Sequence, residues 1–151
     1  MKQIITGWDH IFGPWLMEKT DGTWVPGRGS TIGLLGPDGI LGCAYYSDCN
    51  GASVMLHCAG EGKTWLNREF LWFAFYYPFE QLKVSKIISP VESWNTNCQI
   101  FIEHLGFRLE ATLEGASPKG DLLLYTMTKE QCRWLSLQGK YRGKTESSNS
   151  A

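Results

Sequence analysis

The sequence predicts an α/β (α+β) fold built on a mixed, largely antiparallel sheet of about six strands. Three observations predict it. Strand-length apolar runs separated by Gly36-Pro37-Asp38-Gly39 and Asn50-Gly51 fill residues 31–58, two runs of helical length follow, and two more strand-length runs flank Gly115–Gly120. The 151 residues make one domain of ordinary size, and 43% hydrophobic against 19% charged residues excludes a disordered or fibrous chain. With 14 basic and 15 acidic residues the net charge is −1, so no overall cationic field draws a phosphate backbone, and nucleic acid is not an expected partner.

Each element has a local reason. Glycine and proline punctuate the first thirty residues, leaving room for one short helix around Asp9–Met17. Thr31–Leu35, Ile40–Ser47 and Ser53–Cys58 then form an antiparallel meander, because Pro-Asp-Gly and Asn-Gly are turn formers. Trp65–Tyr77 is too long for a strand, is apolar on most sides and stops at Pro78, which predicts a buried helix. Lys86–Pro90 reads as a short strand. In the next helix Cys98, Phe101, Ile102 and Leu105 share one face, Asn95 caps the start and Gly106 ends it. Arg108–Glu114 and Asp121–Thr128 form a hairpin, and Thr128–Leu137 a last helix capped by Thr128. The expected domain is 1–137, with residues 138–151 a flexible tail that has nothing to bury.

The five cysteines (Cys43, Cys49, Cys58, Cys98, Cys132) are odd in number and contain no C-x-x-C pair. That composition points to reduced thiols in a cytoplasm and to no metal site. Lys2 is not followed by an apolar stretch, since Asp9 and His10 interrupt it, so no secretion signal is expected. Phe70–Phe79, the longest apolar run, has ten residues, half of what a membrane-spanning helix needs.

The segment His57-Cys58-Ala59-Gly60-Glu61-Gly62-Lys63-Thr64 lies between a strand and a helix, where glycine-rich backbone and a helix start favour an anion. It fails both nucleotide motifs. His57 stands where the first glycine of a P-loop belongs, and Trp65 takes the third glycine of G-x-G-x-x-G. A glycine-rich turn without a ligand is the plain alternative.

The second segment, Asn95 to Phe107, places asparagine eleven residues before Leu105-Gly106-Phe107 across an amphipathic helix. Together with His57-x-x-Gly60-x-Gly62, which has the spacing of a Gln- or Arg-x-x-Gly-x-Gly turn, it resembles the GNAT family of N-acetyltransferases. Thr31–Trp134, about two thirds of the chain, can be laid over that family's order of elements. Arg68-Glu69-Phe70-Leu71, Tyr77-Pro78-Phe79 and Cys132-Arg133-Trp134-Leu135 are also similar to small acetyltransferase-like proteins that tailed bacteriophages encode, which would place the chain in a host cytoplasm.

The resemblance implies a twisted sheet with helices on both faces and acetyl-coenzyme A (CoA) as cofactor. Its diphosphate would sit on Gly60, Glu61, Gly62, Lys63 and Thr64, its pantetheine arm along Met55, His57 and Cys58, and Asn95 would reach the arm. An amine acceptor would attack the thioester directly, which needs a base and an acid. His57 is the first candidate base, because an imidazole titrates near neutrality; it could equally support the loop. Glu92 could take the proton through water, and a surface carboxylate is its plain reading. The family's tyrosine acid, seven residues after the asparagine, is Ile102 here, leaving Tyr125 on the last strand as substitute or as packing. Cys98 lies on the apolar stripe and reads as core. Three readings stay open: a transferase, working as monomer or homodimer; the same fold as a non-catalytic interaction module; and a phosphate-binding module for another nucleotide.

Overall fold

A computed structural model describes residues 2–62 and 65–137. The predicted tail, 138–151, lies outside the described residues, as do Lys63 and Thr64. In chain order the elements are β1 (Gln3–Thr6), α1 (Asp9–Thr20), β2 (Gly29–Gly36), β3 (Gly39–Ser47), β4 (Ser53–Gly60), α2 (Arg68–Tyr76), β5 (Lys86–Glu92), α3 (Thr96–Leu105), β6 (Arg108–Ser117) and β7 (Gly120–Thr128). A π-helical turn, Tyr77–Gln81, follows α2, and two 3-10 turns, Lys129–Gln131 and Arg133–Leu137, follow β7.

The strands form one seven-stranded sheet in the order β1-β2-β3-β4-β5-β7-β6. Every neighbouring pair is antiparallel except β4 and β5, which are parallel. Helices cover both faces. On one, Phe12 and Leu16 of α1 pack on Cys43 and Tyr45. On the other, Phe70 and Phe75 of α2 and Ile102 and Leu105 of α3 bury against Ile32, Leu34, Tyr46, Val54 and Leu56. The alternation of neighbouring strand residues between two cores is the period-two rule at work.

The seventh strand is the one the sequence did not announce. β1 has four residues and no alternating pattern of its own; it is a strand because Ile4 and Ile5 pair with Leu34 and Gly33 at the edge of β2. At the other end, the expected helix over 128–137 is two short 3-10 turns. Thr128 caps the first reciprocally with Gln131, and the chain is extended at Cys132 before the second.

Trp65 falls outside the helix predicted for it. Asn67 is the cap instead, its side chain accepting from Phe70 N at 2.7 Å, so α2 starts at Arg68. Nor does Pro78 stop the helical path. Having no N–H to give, it is accommodated by the wider π turn, in which Leu82 N donates to Tyr77 O at 2.9 Å. The predicted cap of α3 is found: Asn95 Oδ1 accepts from Cys98 N at 3.1 Å, and Gly106, at φ 110°, ends the helix. Among the described residues, no helix is long and apolar enough to cross a membrane.

Two features shape the middle of the sheet. β4 pairs with β3 along its length, from Met55 opposite Ser47 to Gly60 opposite Gly42, but with β5 only at Ser53, Val54 and Met55, opposite Lys86, Ile87 and Ile88. Beyond Met55 the two parallel strands separate. At the far end Trp65, 8% exposed, lies flat over the Gly42–Gly60 pair and reaches Phe70 of α2 and Phe101 of α3. A Cβ on either glycine would fall inside the indole.

Gly60→Ala is therefore expected to cost about 1–3 kcal/mol in chemical denaturation, as overpacking does. Combined with Trp65→Ala the two losses fall short of their sum, because the smaller side chain frees the space; additive losses would disprove the contact.

Candidate active site

The separation of β4 from β5 opens a cleft of about 680 Å³. Met55, His57 and Cys58 of β4 line one wall, Glu92 of β5 with Asn95 and Cys98 of α3 another. The chain after α1 and the β6–β7 turn close it on the remaining side, through Asp21, Arg28 and Lys119 among others. Five of the residues singled out in the sequence are thus brought together: Met55, His57, Cys58, Glu92 and Asn95. Gly60, Glu61 and Gly62 lie beyond the lining. The bare face of Gly60 serves Trp65, Glu61 N is spent on Leu41 O at 2.8 Å, and the Glu61 carboxylate is ion-paired with Lys19. Gly62, exposed at φ 71° with nothing near its absent Cβ, is the open point of that turn.

His57 is half-buried, opposite Tyr45 in the β3–β4 register, and its ring stacks on the phenol at 6.1 Å and 29°. Burial lowers its pKa from the ordinary value; the Arg28 cation lowers it further, and Asp48 opposes. The imidazole is therefore neutral at pH 7, with a lone pair to offer. Arg28 and Asp48 form an exposed ion pair, Nη2 to Oδ2 at 3.2 Å, and hydrogen bonding from Arg28 holds Asp48 below its ordinary pKa.

Tyr125 does not line the cleft. It is buried on the α3 face of β7, where its hydroxyl donates to Glu103 Oε1 at 2.8 Å; burial, then Glu103, push its pKa up to about 12. Cys58 and Cys98 do face the cleft, but burial pushes the Cys58 thiol up to about 12 and raises Cys98 as well, so both stay protonated and weakly nucleophilic. Asn95 does two jobs at most: its Oδ1 caps α3, which leaves the amide NH2 as its group for the cleft.

The sequence reading missed Tyr45, Arg28 and Asp48. Tyr45 is 2% exposed, and its hydroxyl has no hydrogen-bond partner among the described residues. Arg28 and Asp48 sit on either side of strand ends, at positions that composition makes look like ordinary loop charges. Among the described residues, no three His, Cys, Asp or Glu side chains gather as a metal site needs.

No protein-family model matches the sequence, and no curated protein matches it significantly. Solved structures do match in three dimensions. A variant of the spermidine N-acetyltransferase SpeG from Vibrio cholerae superposes with a TM-score of 0.70 at 15% identity, covering 89% of this chain and 96% of that one. A GNAT-family acetyltransferase from Bacillus anthracis gives 0.56 at 17% identity over 66% of each chain. The fold is that of the GNAT acetyltransferases. In the GNAT fold seen here, the helix cap at Asn95 is the feature that the second sequence motif had marked, and the parted parallel strands stand beside it.

Two measurements check the electrostatics. The His57 imidazole, followed by NMR, should titrate below 6.5 and move up in Arg28→Ala, since removing a cation favours imidazolium; a midpoint above 6.5 would contradict the burial. Because the unfolded chain binds that proton more readily, the His57 contribution to stability is complete above pH 6.5 and lost as pH falls through the lower folded value. Tyr45→Phe should keep or raise the melting temperature, because the hydroxyl it removes bonds to nothing among the described residues; a fall of several degrees would reveal a hidden partner.

Proposed function

We propose that the chain is an acetyl-CoA-dependent N-acetyltransferase that passes an acetyl group to a primary amine by direct attack in a ternary complex. The observation that carries this reading is the open edge of β4 beyond Met55, with a neutral imidazole beside it. An amide-rich, nearly straight pantetheine arm can pair with such an edge as an added strand would. Met55, His57 and Cys58 would hold the arm, Asn95 would reach it from α3, and the turn Gly60–Thr64 would take the diphosphate, with Gly62 as its open described position. The SpeG relative, whose substrate spermidine is an amine, supports an amine acceptor.

When bound, acetyl-CoA supplies an activated acyl carbonyl. The chain supplies the proton handling. His57 accepts the proton that an incoming ammonium must lose, and its lowered pKa keeps it in the accepting form at neutral pH. Glu92, half-buried at the end of β5 on the same cleft, is the second group that can take the ammonium proton, through a water. The acid step does not fall to Tyr125, whose hydroxyl is committed to Glu103. Five free cysteines suit a reducing cytoplasm, that of a host if a phage encodes the chain.

One observation favours a second reading, the same fold kept as an interaction module. Ile102, 2% exposed in the core, stands where the family's tyrosine acid is expected.

Acetyl-CoA at 100 times its Kd should stabilise the protein by about 2.7 kcal/mol, read as a rise in melting temperature. No shift at saturation would overturn the proposal. In a thiol-release assay His57→Gln should lower kcat by about 10²–10⁴ while keeping the cofactor-induced thermal shift. Cofactor binding without any turnover by the native chain would favour the interaction module.

A further inference from the structure

At the mouth of the cleft stands a large aromatic surface that the chemistry above does not use. Trp94, in the turn between β5 and α3, is 52% exposed, and Lys119, from the β6–β7 turn, places its ammonium over the indole at 5.4 Å from the ring centre. Both residues line the cleft. The two turns are fastened to each other: Ser93 N donates to Asp121 O at 2.9 Å, and Asp121 N donates to Ser93 Oγ at 2.9 Å. The backbone that carries the indole is therefore fastened to the loop that carries the lysine.

Lys119 forms no ion pair among the described residues. Glu92, two residues before Trp94 and on the same cleft, has no cationic partner among them either. An indole face with a carboxylate nearby is a seat for a positive charge, because the ring quadrupole and the carboxylate both attract one. The other cations of the cleft are engaged elsewhere, Arg28 with Asp48 and Lys19 with Glu61. Lys119 alone of the three has an aromatic ring and no carboxylate among the described residues, an attraction weak enough to yield to a better-placed cation.

We infer that the Trp94 face is the subsite for a second positive charge on the acceptor, and that Lys119 occupies it as an intramolecular stand-in. The acceptor class is then a diamine or a similarly dicationic amine. One nitrogen loses its proton to react at His57, and the other stays charged on Trp94 after displacing Lys119. The inference rests on the transferase reading for the meaning of the ligand, but its binding test needs no turnover.

Two substitutions predict opposite signs, which a general loss of structure would not produce. Isothermal titration in the presence of CoA compares cadaverine, a diamine, with pentylamine, its singly charged counterpart of the same chain length. The native protein should bind cadaverine more tightly. Lys119→Ala, which removes the competitor, should tighten cadaverine binding by roughly two- to tenfold, and Trp94→Leu should weaken it by a similar factor and erase the preference, as loss of a cation–π contact does. Trp94→Phe should retain part of it. Equal affinity for the two amines, or weaker cadaverine binding by Lys119→Ala, overturns the inference. The acetyl-CoA thermal shift is read separately, so a failure of the transferase reading is not mistaken for a failure of this one.

Discussion

The structure depends on one interrupted ladder. Parallel strands in a sheet interior ordinarily pair along their whole length, because every unpaired N–H and C=O there loses water without gaining a partner. β4 and β5 stop after Met55 and Ile88. Residue chemistry explains how the sheet tolerates it. Ser89 Oγ donates to Leu56 O at 3.0 Å, replacing a backbone donor at the first position past the break. One residue on, continued register would set Pro90 against His57, and proline has no N–H for a ladder. β5 keeps its other edge paired with β7 from Lys86 to Glu92, so the strand remains straight while its β4 side opens.

Trp65 covers the far end of the β3–β4 ladder. The indole lies over Gly60 at the end of β4 and touches Phe101 of α3, the helix that follows β5. It ties the end of β4 to the helix that follows β5. The two glycines that look like a phosphate turn have different duties: Gly60, with Gly42 opposite it on β3, is bare so that an aromatic ring can lie flat on the sheet, and Gly62 adopts a backbone conformation in which glycine is favoured. The cleft accordingly runs beside Met55, His57 and Cys58 of β4, while Gly60 is covered by Trp65.

Charge is arranged around the gap rather than in it. The thiols at the base are kept neutral by burial, the imidazole is pushed toward its neutral form, and the charged side chains stand toward the α1 side and the rim. The proposed transfer, which would begin with a cationic amine and end with a neutral amide, would be served by such a gradient, with ions held where water remains.

The sequence made the scaffold legible where a residue acts locally. Asn95 and Gly106 bound α3 because capping needs only the residues on either side. It failed where a neighbour decides. β1 is a strand only because β2 offers an edge, and Trp65 leaves the helix because two glycines on other strands receive it. The site shows the same division. His57 was visible from its spacing to Gly60, whereas Tyr45 depended on register. A two-residue Asn50-Gly51 loop would set His57 opposite Ala44, on the face of α2 and α3. The actual loop is wider, with Asn50 Oδ1 accepting from both Ala52 N and Ser53 N, and it moves the pairing by one residue so that His57 meets Tyr45. Since a one-residue slip exchanges the faces of a strand, the side chain of one asparagine decides which wall the candidate base belongs to.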